Sequence, residues 1–140
     1  MRKNFRIIIG MNVVFLILLA AGCNQQASEL PQHVINEETN EAEELLKDMD
    51  PITSAVVITN DDKMYAAAEV KHMNRFQLES IRKQGYNRLS KRWPDHNIHF
   101  STDKKALMEL QKLNNDMGEK KVGKKDQEKR LTKIEEFMKG

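Results

Sequence analysis

The 140 residues include one cysteine, at position 23. A single thiol excludes an intramolecular disulfide framework and any cysteine-rich zinc site. Aromatic side chains make up only 6% and charged ones 31%, so the expected core is thin and long solvated segments are expected. No glycine-rich phosphate loop follows a strand-like run, and none of Ser28, Ser54, Ser80, Ser90 and Ser101 sits in a Gly-x-Ser-x-Gly elbow. Charge of one sign is also lacking. The formal net charge is +2, and without residues 1–22 the other 118 hold 20 basic and 21 acidic side chains, a net of −1. This length has room for one small domain with one core.

What is present begins with an address. Arg2, Lys3 and Arg6 precede an apolar run from Ile7 to Ala21, which ends in Gly22-Cys23. A run of about 15 residues is short for a bilayer span, which needs about 20. The early cations favour keeping the amino end cytoplasmic. The segment therefore reads as a signal peptide. Leu19-Ala20-Ala21-Gly22-Cys23 resembles a bacterial lipobox. The resemblance implies cleavage between Gly22 and Cys23, with a diacylglyceryl thioether on Cys23. Two acyl chains, at about 0.8 kcal/mol per buried methylene, anchor a protein durably where one chain does not.

Residues 24–40 are polar and without sustained period, a tether between lipid and fold. Asn40 with Glu43 reads as a helix start, and Ala42, Leu45, Leu46 and Met49 form one apolar stripe. Asp50-Pro51 ends that helix. The β-branched run within Ile52–Thr59 predicts a strand, Asn60-Asp61-Asp62 a turn, and Lys63–Val70 a second strand with Met64, Ala66, Ala68 and Val70 facing the core. Asn74 opens a second helix with Leu78, Ile81, Gly85 and Leu89 inward. Gly85, costing about 1 kcal/mol at mid-helix, suggests a close approach to the sheet. Ile98 and Phe100 mark a third strand. Thr102-Asp103 opens a third helix on Leu107, Leu110, Leu113 and Met117, which Gly118 stops. A Lys- and Gly-rich linker over 119–125 leads to a closing amphipathic helix, 126–139.

The expected class is α+β: a small three-stranded sheet, hairpin plus crossover strand, with helices on one face. Its parts are a signal peptide over 1–22, a lipidated tether over 23–40, an αββαβα domain over 41–117, and a basic linker with the closing helix over 118–140.

Several stretches in this order resemble the sporulation lipoprotein family of Bacillus-type bacteria, the YhcN/YlaJ type. They are Ser54-Ala55-Val56-Val57-Ile58-Thr59, Met64-Tyr65-Ala66-Ala67-Ala68-Glu69-Val70, and Ile98-His99-Phe100-Ser101-Thr102-Asp103. Met108–Asp116, the basic linker and the closing helix follow suit. Where the family commonly has Asn-Pro before the acid of the third helix, this chain has Ser101-Thr102. The resemblance implies a lipid-anchored protein on the outer side of the cell membrane, at a spore or forespore membrane. It implies a role in sporulation or germination through a protein partner in the spore envelope, and no catalytic residue.

The residues point the same way. His96 and His99, three apart on a strand, face opposite sides and read as solvated or strand-edge groups rather than metal ligands. Asp61-Asp62 reads as turn chemistry. No enzyme activity, cofactor or metal is expected. The charge is divided: residues 24–62 hold ten acids and one base, a net of −9, and residues 63–140 hold 19 bases and 11 acids, a net of +8. Lys120, Lys121, Lys124 and Lys125, with Leu131, Ile134 and Phe137 of the closing helix, are the candidate membrane or partner contacts. Two readings stay open. Either the helix docks and the lysines form a solvated face, or the basic carboxyl-terminal half binds lipid or a polyanion. Nucleic acid is not expected outside the cytoplasm.

Overall fold

A computed structural model describes residues 36–139. The signal segment, Gly22, Cys23 and most of the tether lie outside the described residues. The elements run α1 (Glu37–Lys47), β1 (Ile52–Asn60), β2 (Lys63–Val70), a 3-10 helix (His72–Gln77), α2 (Leu78–Arg92), β3 (Asn97–Ser101), α3 (Lys104–Gly118) and α4 (Lys124–Met138). The class is α+β as expected. The three strands lie in the order β1-β2-β3, with β1 and β2 antiparallel and β2 and β3 parallel. The hairpin turns through Asp61 and Asp62, and Asp61 takes a positive φ of 53°, which a short polar side chain tolerates.

The helices cover both faces of the sheet, not one. Successive strand residues point to opposite sides. In β1, Ala55 and Val57 join Ala42, Leu46 and Met49 of the α1 segment and Ile81, Leu89 and Trp93 of the α2 segment. Val56 and Ile58 join Leu107, Leu110 and Leu113 of α3 and Leu131 and Ile134 of α4. In β2 the inward set Met64, Ala66, Ala68 and Val70 is as expected, but the alternate residues Tyr65 and Ala67 are buried too, under α3 and α4. Small alanines on both sides of β2 let helices sit close, so few large side chains suffice for two cores. The long solvated segments expected from composition are present at 71–80 and 114–130, where no residue is buried.

Gly85 marks the tightest approach on the first face. A Cβ there would lie 2.3 Å from Cε1 of Phe100 on β3. The absent side chain is what lets α2 lie on the Phe100 ring.

Several boundaries shift for physical reasons. α1 starts at Glu37, ahead of Asn40, because Glu37 and Glu38 occupy its first turn, where carboxylates complement the helix dipole. The Asn36 side chain does not cap it. Its Nδ2 donates to Thr59 Oγ1 at 3.0 Å. α3 has the cap its sequence announced: Asp103 Oδ1 accepts from the N–H groups of Lys105 (2.8 Å) and Ala106 (2.9 Å). The left-handed residue after α3 is Lys120 (φ 55°), not Gly118. Asp116 and Arg130, 2.7 Å apart, tie α3 to α4. Glu43 of α1 accepts from the Val57 N–H at 3.2 Å.

The divided charge is partly spent inside the fold. Glu41 pairs with Arg92 (2.6 Å), Asp50 with Lys71 (3.1 Å) and Glu38 with His96 (3.2 Å). The acid-rich amino-terminal part thus docks on the basic remainder. The Glu41–Arg92 and Asp50–Lys71 pairs are exposed, so solvent screens them strongly.

Candidate functional site

Two ends of the sheet concentrate the candidate groups. The first is the hairpin end. Asn36 meets Thr59 there, Asn97 N–H donates to Asp62 O at 2.7 Å, and Lys124 Nζ lies 4.0 Å from Asp61. The chain therefore enters the fold at the end where the loop with Lys120 and Lys121 leads into Lys124 and Lys125 of the first turn of α4. All four lysines are exposed. Lys121 contacts Glu119, and Lys120 and Lys125 have no ion pair among the described residues.

Leu131 and Ile134 stand elsewhere. They are 1% and 3% exposed and belong to the second core. α4 docks on the domain and spends its apolar stripe there. Those two side chains present nothing to a membrane in this fold. Phe137 is half-buried with Lys105 Nζ 4.0 Å above its ring, near the far end of α4 from the lysines.

That far end holds the second concentration of groups. The carboxyl ends of β2 and β3, the first turns of α3 and the end of α4 enclose a groove of about 570 Å³, lined among others by Val70, Arg75, Arg82, Lys104, Met108 and Phe137. The groove sits at the carboxyl ends of the one parallel pair, β2 and β3. Arg82 Nη1 donates to Thr102 Oγ1 at 3.3 Å. Sequence reasoning missed this groove because its walls come from segments as far apart as Ala68 and Lys139. Met73 and Phe76, 82% and 80% exposed, are a local apolar signal only on the 3-10 helix that carries Arg75.

Between the two ends, under α4, lies a polar cluster that was also missed. His99 stacks on Tyr65 (centroids 5.0 Å apart, planes 11° apart). Its Nδ1 is 4.0 Å from Glu135, and its enclosed Nε2 has no hydrogen-bond partner among the described residues. Burial pushes the imidazole below its usual range, against the opposing pull of Glu135. The Tyr65 phenol is pushed up, also by burial. Glu135 is held below the usual carboxylate range, first by its bond from Lys139 at 2.8 Å. Lys63 approaches the same carboxylate at 3.9 Å. His96, by contrast, sits against Glu38 of α1. The two histidines do face opposite sides, and His99 lies on the edge strand β3, where α4 covers most of it and leaves 17% of its side chain exposed.

Among the described residues no group of three or more His, Cys, Asp or Glu is placed to hold a metal ion, and no helix is long and apolar enough to cross a membrane. No protein-family model and no curated protein matches the chain.

Proposed function

We propose that this chain is a non-enzymatic envelope lipoprotein, anchored through Cys23 to the outer side of the cell membrane, whose folded part is an interaction module. The single observation that supports it is the shared location of the chain's entry at Asn36 and the exposed lysines of residues 119–125. A lipid anchor attached through the tether would hold that end toward the bilayer. Each lysine near an anionic leaflet gains about 1 kcal/mol. Asp61, Asp62 and Glu119 offset part of that attraction. The opposite end, with the groove, would face away from the bilayer. The spore or forespore setting rests on the sequence resemblance.

Metabolic labelling with an acyl probe tests the anchor. Wild type is expected to be labelled and membrane-bound, and Cys23→Ser to lose both. Unlabelled, membrane-bound protein in both forms sinks the idea. Expression confined to vegetative growth removes the sporulation setting.

A second reading, lipid or polyanion binding by the basic carboxyl-terminal half, is favoured by the exposed lysines alone, since Leu131 and Ile134 are spent in the core. Flotation of residues 24–140 with phosphatidylglycerol vesicles decides it, and no binding at low salt removes it.

A further inference from the structure

We infer that the groove at the carboxyl ends of β2 and β3 docks an acidic amphipathic peptide segment of a partner protein. This deepens the interaction-module reading above and rests on it.

Charge complementarity selects the partner's sign. Arg75 of the 3-10 helix, Arg82 of α2 and Lys104 of α3 stand around the groove from three separate elements. None of them has an ion-pair partner among the described residues. Two acids share the lining, Glu69 and Asp103. Asp103 caps α3 through Oδ1 alone, and neither it nor Glu69 has an ion-pair partner among the described residues. Lys139 adds a fourth cation, paired with Glu135, so the lining holds four cations against two acids. Two of the three unpaired cations are arginines, whose planar fork matches a carboxylate.

The apolar part selects the partner's second property. Leu107, Met108, Phe137 and Met138 line the same groove, and Met108 is 58% exposed. Met73 and Phe76 are three apart on a 3-10 turn, where such residues eclipse. They form one exposed apolar ridge on the element that carries Arg75, outside the lining of the groove. Flexible methionines suit a surface that must accept another protein's side chains. A bare anion would satisfy the arginines and leave this apolar surface wet. An amphipathic helix laid in a groove satisfies both.

Placement favours a peptide over a bilayer lipid. The groove and the entry point of the chain are at opposite ends of β2, whose eight residues span about 23 Å at roughly 3.3 Å per residue. A lipid would have to leave the bilayer to reach the groove, whereas a partner's segment meets it from the aqueous side.

The test pans a displayed library of short random peptides on the full chain, captured by an antibody to residues 24–35. Capture does not depend on acylation, so failure here is separate from failure of the anchor. Enriched sequences should combine Asp or Glu with Leu, Met or Phe at helical spacing. A fluorescein-labelled peptide of that enriched set should bind about tenfold or more weakly to Arg75→Glu/Arg82→Glu, as expected for reversing charges at a contact. Its binding should be unchanged in Lys120→Gln/Lys121→Gln at the other end. Circular dichroism checks that these exposed substitutions leave the fold intact. No enrichment, enrichment without acids, or equal binding to the charge-reversed chain overturns the proposal. Binding of phosphatidylglycerol vesicles that is lost in the same Arg75/Arg82 variant also overturns it, and assigns the groove to lipid.

Discussion

The two faces of the sheet are built from similar materials to different ends. The first face, under α1 and α2, is a continuous apolar cluster that includes Trp93 and the Gly85–Phe100 contact. The second, under α3 and α4, is apolar at its centre but admits a stacked Tyr65–His99 pair and the Glu135 carboxylate at its margin. The first holds its titratable His96–Glu38 pair at the edge beside α1; the second places His99 beneath α4, whose carboxyl-terminal end brings Phe137 and Lys139 to the groove.

The comparison breaks first if the second face is dispensable. Leu46→Ala on the first face and Ile134→Ala on the second should each cost roughly 2–5 kcal/mol by urea unfolding. A negligible cost for Ile134→Ala would make α4 a loose cover. Next, Gly85→Ala separates packing from propensity. Alanine is the better helix former by about 1 kcal/mol, yet its Cβ would enter the Phe100 ring, so a net loss of about 1–3 kcal/mol is expected. Phe100→Leu in the same chain should recover part of that loss, and a double-mutant cycle measures it. Asp103→Ala should cost about 0.5–2 kcal/mol through the lost cap. Asn36→Ala, which removes no cap bond, should cost less in the same unfolding assay.

The smallest effect sharpens the contrast most. His99 is held below its ordinary 6.5 in the fold, so the unfolded chain binds its proton first as pH falls. Its contribution is complete above about 6.5 and is lost as the pH drops through that value toward the lower folded one. Groups facing it are Glu135 and Lys139 on α4 and Lys63 and Tyr65 on β2. His99→Phe should flatten the fall in melting temperature between about pH 7 and pH 5, followed by circular dichroism. An unchanged slope would mean that the imidazole is not coupled to the docking of α4.

Most elements were legible because period and caps are local. The hairpin turn at Asp61-Asp62, the Asp103 cap and the approach at Gly85 each need only neighbouring residues to be read. The second face was not legible in the same way. Lys63 and Glu69 frame Tyr65 and Ala67, so that side of β2 looked like a solvent face, and alanine is at home on either. What decides the matter is a helix some 60 residues later, whose Leu131 and Ile134 read equally well as a docking stripe or as a membrane contact. Nothing in the sequence near His99 says that α4 lies over it. The groove was hidden for the same reason, since Arg75, Arg82, Lys104 and Phe137 converge only in the folded chain.

Glu43 carries a consequence for crowding. Among the described residues β1 has a strand on one side only, and the Val57 N–H turned away from that neighbour is taken by the Glu43 carboxylate. An open sheet margin invites another chain to add a strand. Proteins tethered to one surface meet at far higher local concentration than the same number free in solution. For a chain held at a bilayer as proposed, one carboxylate laid across the margin helps keep neighbours from zipping together.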